Sequence, residues 1–355
     1  MACRIARAAA SGIVGGREAW ALLGPPPMPT QPTFPGVYVE ELPSGVRTIA
    51  GVPTSITAFV GRAVRGPVNQ PVVVNGYGDY ERVFGGLSLS SSMSYAVRDY
   101  FNNGGGQAVI VRLFAGGSAG DGTAKLQLSN LTLVAANPGA WGNRLRARVD
   151  SAVAPGAGAR FGVPNDTDLF NLTVVDSATG ATEVFRNVSV VAGTRRIDRV
   201  LESESQMVRL QAGTDLGKVT TPPTDTKPFD DKDVIKATGG GDGDALARAA
   251  FTTGANLQAD KRGLFALERT DLFNLLCIPP HALGGDIEKE LVEDAVAYCR
   301  KRRAVMIVDP PAAWDTKAKA RDGFATDVTT RSDSAALYFP RLMALYANRP
   351  SSAVL

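Results

Sequence analysis

Three short runs, Ala108–Leu113, Leu272–Ile278 and Ala304–Val308, constrain the fold more than any other feature of the chain. Ala108–Leu113 is an uninterrupted apolar strand, the pattern of burial on both faces; Leu272–Ile278 reads as a buried strand and Ala304–Val308 as the next one. Each is also punctuated: Gly104-Gly105-Gly106 precedes the first, Pro279-Pro280 ends the second and Asp309-Pro310-Pro311 closes the third. Between the second and third, Asp286–Arg303 reads as an amphipathic helix. Leu291, Ala295 and Tyr298 share one stripe, with Glu288, Lys289, Glu293 and Arg300 outside it. Ahead of the first run, Ser55–Val60 is a β-branched and aromatic strand and Pro71–Val74 a short extended one. Tyr77–Phe84 and Met93–Asn102 have helical spacing, with Ser90-Ser91-Ser92 placed to cap the second. Ala312–Val328 carries helical stretches and Ser334–Phe339 a last strand. Strand, helix and strand in alternation predict an α/β core with a partly parallel sheet, split between residues 51–114 and 246–340.

Residues 115–245 change character. Leu126, Leu128, Leu131 and Leu133 suggest one strand, Asn137–Asn143 a loop, and Arg144 to Val149 alternates basic with apolar residues. Phe170–Asp176 and Thr182–Val188 alternate on either side of Ser177–Gly180, which predicts a hairpin. A helix is expected over 194–202, with β pattern again over Ser203–Leu210. Pro222–Pro228 is irregular, and Gly239–Gly243 is expected to be a flexible hinge. The whole reads as a β-rich insertion domain that leaves and returns to the core.

Near the start, Phe34, Pro35, Gly36, Val37, Tyr38, Val39 and Glu40 form a short alternating strand on a proline-led arm spanning 28–50. Pro32 and Pro35 bar a helix. A strand with no neighbour nearby in sequence leaves backbone donors and acceptors for another chain to pair. Residues 1–27 begin with a basic, small-residue stretch, but the apolar run is broken by Arg7 and Gly12 and is too weak for an export signal. They are expected to be a non-native or mis-started extension.

These residues also resemble a family. Phe34–Glu41, Gly51–Ser55 and Phe59-Val60-Gly61 are similar to the opening of contractile tail sheath proteins, the sheath subunits of myophages and of phage-tail-like injection systems. The resemblance continues, in the family's order, at Gly105–Arg112, Asn137–Asn143, Leu272–Pro279, Arg302–Pro311 and Ala335–Pro340. It implies a subtilisin-like mixed sheet flanked by helices, with a β-rich insertion domain and an extended N-terminal linking arm. It further implies a non-enzymatic virion subunit that forms hexameric rings stacked helically around an inner tube. Contraction of that stack would drive the tube through a target envelope for viral genome ejection or its bacterial counterpart. The partners implied are copies of itself, the inner tube protein, and baseplate and terminator proteins. The location implied is a virion tail, or the bacterial cytoplasm within a phage-tail-like particle. Residues 341–355 do not resemble the family's continuation, a further α+β domain and C-terminal arm, so a shortened chain is expected.

Other chemistry has little footing in the sequence. Cys3, Cys277 and Cys299 show no metal spacing or paired framework, and a net charge of +3 is too small to indicate nucleic acid or a membrane surface. His281 is the only histidine, four residues after Cys277 at a strand end. A Cys–His nucleophile there would make the chain a hydrolase-like α/β enzyme, although Cys277 reads as a small core hydrophobe. Gly239–Asp244 lacks the Lys-Ser/Thr of a phosphate loop, and its aspartates would repel phosphate. No metal or cofactor is expected. A binding module built on 115–245 is the remaining alternative. Arg300, Lys301, Arg302 and Arg303 sit at a helix C-terminus, where the dipole favours cations, and are candidate interface residues. Arg144, Arg146 and Arg148 are expected on the exposed face of a strand.

Overall fold

The computed structural model describes residues 55–117, 120–281 and 284–341. The arm residues Phe34–Glu40 lie outside them, as do residues 1–27 and the last 14 residues, 342–355.

The architecture is mixed α/β. A six-stranded sheet is built from β1 (Thr57–Gly61), β2 (Pro71–Val74), β3 (Ala108–Arg112), β11 (Leu275–Cys277), β12 (Val305–Val308) and β13 (Ala335–Leu337). Its order is β13-β12-β11-β1-β3-β2, and every pairing is parallel except that of β2 with β3. Successive residues of the central strands point into different cores, as the pleat requires. Phe59, Ala108 and Ile110 pack with Tyr80 and Phe84 of α1 (Tyr77–Phe84) and Met93 and Val97 of α2 (Ser92–Asn102). Ala58, Val60, Val109, Val111, Leu276 and Met306 pack instead with Leu291, Ala295 and Val296 of α5 (Lys289–Arg302). Both faces of β1 and β3 are covered, every residue of each being buried, whereas β11 and β12 bury Leu276 and Met306 and leave their neighbours half-buried. Helix α6 (Lys317–Asp327) lies between β12 and β13 in sequence.

Between β3 and β11 the chain forms two antiparallel sheets. One, in the order β10-β6-β7-β8, contains β6 (Leu145–Asp150), β7 (Leu169–Asp176), β8 (Thr182–Ser189) and β10 (Ile235–Lys236). The other, β4-β5-β9, contains β4 (Lys125–Gln127), β5 (Thr132–Ala135) and β9 (Val208–Leu210). One apolar cluster joins them, with Leu126, Leu133, Leu172, Val174, Phe185 and Leu201 all buried. The predicted β7–β8 hairpin is present.

Several boundaries differ from the sequence reading. The four leucines expected on one strand fall on β4, β5 and the turn between them, because Ser129-Asn130 reverses the chain and Leu128 N–H donates to Leu131 C=O. The helix expected over 194–202 runs from Ile197 to Glu204 (α4), so β structure resumes only at Val208. Ser91 occupies the N-cap of α2 without capping it; its hydroxyl donates to Arg62 C=O, 2.5 Å away. Arg146 and Arg148 are half-buried rather than exposed, their alternate neighbours Leu145, Ala147 and Val149 facing the core.

Leu126 is completely buried in the shared cluster. Leu126→Ala is expected to destabilise the protein by about 2–5 kcal/mol through lost transfer energy and a residual cavity, measured by urea unfolding monitored by circular dichroism.

Candidate functional site: the junction at the sheet's carboxyl end

Strand β3 ends on a charge inside the protein. Arg112 is 2% exposed, and no carboxylate bonds its guanidinium. Instead it donates to backbone carbonyls: Nε to Ala63 at 2.9 Å, Nη1 to Gly66 at 2.7 Å and Nη2 to Pro138 at 2.7 Å. Burial lowers its pKa to about 10, against the opposing field of Asp242, which still leaves it charged at neutral pH. An arginine is suited to this place because its planar fork can meet several fixed acceptors at once. In the sequence it stands within what reads as an apolar run, so its role is invisible until the loops that surround it are in place.

The loop held by Arg112 is Asn137–Asn143. Its backbone approaches other chain segments so closely that glycine is required: at Gly139 (φ +141°) an added Cβ would lie 2.7 Å from Val64 O. Gly239–Asp244 then crosses this loop. Gly240 N–H donates to Asn143 Oδ1 while Asn143 Nδ2 donates to Gly240 C=O, both at 2.8 Å. Asp242 Oδ1 accepts from Ala140 N–H at 2.8 Å, and Gly241 N–H donates to Gly122 C=O. The expected hinge is therefore a braced crossing, because its glycines bring backbones into hydrogen-bonding distance rather than freeing them.

Arg62, directly after β1, completes the junction. Its Nη2 donates to the carbonyls of Asp242, Gly243 and Asp244 at 2.6–2.9 Å. Strand order makes this location notable: β3 lies on one side of β1 and β11 on the other, so the carboxyl ends of β1 and β11 flank a topological switch point. In open α/β sheets that crevice is where ligands bind. Here the returning chain and the Arg62 guanidinium occupy it.

His281 follows β11 beside the same place. Its ring stacks on Phe251 with centroids 5.0 Å apart, and neither ring nitrogen has a hydrogen-bond partner. Burial lowers its pKa, Arg62 adds to that effect and Glu288 opposes it. Cys277 packs beside the α1–α2 core, and burial pushes its thiol up to about 12. A thiol held protonated and a histidine without a hydrogen-bond partner do not form an activated nucleophile pair. Among the described residues, no group of three metal-ligating side chains converges, and no helix is long and apolar enough to cross a membrane.

The candidate interface cations lie at the other end of the parallel strands, where α5 leads into the start of β12. Arg302 is committed within the chain: it donates to the carbonyls of Thr270 and Asp271 and sits 5.4 Å over the Phe273 ring. Arg300 is exposed and reaches Ser332 at 3.4 Å and Asp333 at 3.9 Å. Lys301 and Arg303 are exposed. Arg303 has φ +54° and occupies the left-handed position that ends the helix. Glycine is the usual residue there, and a side chain in that conformation costs about 1–2 kcal/mol. With Arg269 they border an open cleft of about 570 Å³ that also includes Glu268 and Asp271. Arg144, of the other basic group, pairs with the fully buried Asp176 at 3.4 Å.

No protein-family model and no curated protein matches the chain. Among solved structures it is similar to a sheath tail protein from Listeria innocua, with 15% identity and a TM-score of 0.48 over 74% of this chain and 49% of that one. It is also similar to a sheath tail protein from Desulfitobacterium hafniense, with 14% identity and a TM-score of 0.47 over 90% of this chain and 59% of that one. The chain thus spans about half to three-fifths of the length of these two proteins.

Arg112→Met is expected to lower stability by on the order of 3 kcal/mol, because short-bonded carbonyls lose their donor without access to water. Arg112→Lys should recover only part of it, since one ammonium cannot span the three directions; differential scanning calorimetry reads both. For His281 the folded pKa lies below the ordinary 6.5. The unfolded chain therefore takes up the proton first, and stability is full above about pH 6.5 and falls as pH drops below it. The loss in melting temperature between pH 7.5 and 5.5 should shrink in His281→Phe, by scanning fluorimetry at both pH values.

Proposed function

We propose that this chain is a structural subunit of a contractile tail sheath. The observation that carries the reading is where the family-like pieces of sequence meet. Phe59-Val60-Gly61, Gly105–Arg112, Leu272–Pro279, Arg302–Pro311 and Ala335–Pro340 contain all or part of β1, β3, β11, β12 and β13, the five parallel strands of one sheet. The remaining piece within the described residues, Asn137–Asn143, is the loop that Arg112 holds against that sheet. Segments scattered over nearly 300 residues of sequence thus form one connected framework, as a shared fold requires and chance similarity does not.

The finer parts of the reading belong to the same proposal. The core is a subtilisin-like sheet, 115–245 is a domain inserted into it, and Val37–Glu40 is a strand donated to a neighbour by β-augmentation. Copies form hexameric rings stacked around an inner tube, with baseplate and terminator proteins at the ends. Contraction repacks interfaces between subunits that move as nearly rigid bodies. A subunit of this kind stores energy in the assembly and uses no catalytic residue or cofactor.

Electron microscopy of the full chain coexpressed with the tube protein from its own locus tests the proposal. Ordered tubes of stacked rings are the expected result. Folded monomers under the same conditions, with hydrolysis of generic ester or peptide substrates lost in His281→Ala, would replace the sheath reading by the enzymatic one.

A further inference from the structure

Helix α5 separates its charges along its length. Glu288, Glu290 and Glu293 are exposed at its start, and Arg300, Lys301 and Arg303 at its end. Because α5 connects two adjacent parallel strands, β11 and β12, it runs back antiparallel to them, starting near their carboxyl ends and ending near their amino ends. At 1.5 Å per residue, the 8 to 13 residues that separate Glu290 and Glu293 from Lys301 and Arg303 place the two poles about 12–20 Å apart along the axis.

The helix dipole accounts for part of this pattern, since it favours acids in the first turn and bases in the last. It does not account for Arg303, which lies past the last turn in a conformation suited to glycine. Nor does it account for how these charges are spent. Among the described residues, Lys301 and Arg303 make no side-chain hydrogen bond or ion pair; Glu290 and Glu293 make none either, although both lie in the field of Arg248, which is bonded to Asp294. Their neighbours are engaged within the chain: Arg302 by carbonyls, Asp294 by Arg248 at 2.7 Å and Lys289 by Asp327 at 3.3 Å. The charges without a direct partner are of opposite sign at opposite ends of the helix, too far apart to meet within one copy.

We propose that the two poles of α5 are the two halves of a head-to-tail contact between copies of this chain. Lys301 and Arg303 of one copy face Glu290 and Glu293 of the next. The contact joins different patches on the two copies, so it leaves one pole open at each end and propagates rather than closing into a dimer. This inference rests on the assembly reading for its choice of a second copy as partner, and it adds the residues through which copies meet.

The test is sedimentation velocity on the full chain, with each variant's fold checked by circular dichroism and melting temperature. The wild-type chain should self-associate at about 50 mM salt and dissociate by about 500 mM, as an exposed ionic contact is screened. Lys301→Glu with Arg303→Glu should weaken self-association at least tenfold, and so should Glu290→Lys with Glu293→Lys. An equimolar mixture of these two folded variants, one acidic at both poles and the other basic at both, should associate again. Arg303→Gly should weaken association several-fold while the melting temperature holds or rises. A wild-type chain that stays monomeric at low salt, a mixture that fails to associate, or an Arg303→Gly variant that associates normally would each overturn the contact. Pole-dependent association without ordered tubes would refute the sheath reading and leave the contact standing. Ordered tubes unaffected by either reversal would do the opposite.

Discussion

A guanidinium buried without a carboxylate is an expensive thing to place in a protein, and much of this structure is arranged to accommodate one. Desolvating a charge costs several kcal/mol unless hydrogen bonds replace the lost water. Arg112 recovers that cost from backbone carbonyls of the loop after β1 and of the Asn137–Asn143 loop. Those acceptors converge only if both loops hold their shape. Gly66 and Gly139, each at positive φ with no room for a side chain, make that shape possible. The central sheet and the sheets between β3 and β11 are therefore joined by a group that is stable only when both are folded.

The second arginine, Arg62, works on the other strand of the same crossing. Its guanidinium gathers the carbonyls of 242–244 at the switch point of the parallel sheet. Chain leaving the core at β3 and chain returning toward β11 are thus clamped side by side, with Gly122 C=O accepting from both Gly139 and Gly241. Such bracing suits a body that transmits load as a unit.

Burial governs the two residues that first suggested catalysis. The chemistry available to a thiol or an imidazole depends on whether its charged form is solvated or partnered. Cys277 sits against the α1–α2 core and His281 against Phe251, and in both the neutral form is favoured. Although close in sequence at a strand end, their side chains serve separate packing environments.

The sequence alone specifies the core strands and the helices α1, α2 and α5, though not the helical turns within 249–269 that bury Phe251, Leu264 and Leu267 in the same core. What it specifies rests on local periodicity: the apolar runs at β3, β11 and β12, and the Leu291, Ala295 and Tyr298 stripe of α5, are legible within a window of a few residues. Helix ends and turns were less legible, as at Ser129-Asn130 and Ser91, because short polar residues have several local partners and tertiary contacts choose among them. Only the tertiary structure decided the junction. Arg112 finds its acceptors 26 to 49 positions away, and Arg62 about 180 positions away. Gly239–Gly243 likewise reads as loose chain until Asn143 and Gly122 are brought against it. A local pattern records what a residue prefers to bury. It holds no record of distant backbone groups, and here those groups turn a charge in an apolar strand and a glycine-rich stretch into a tie between the central sheet and the sheets that follow β3.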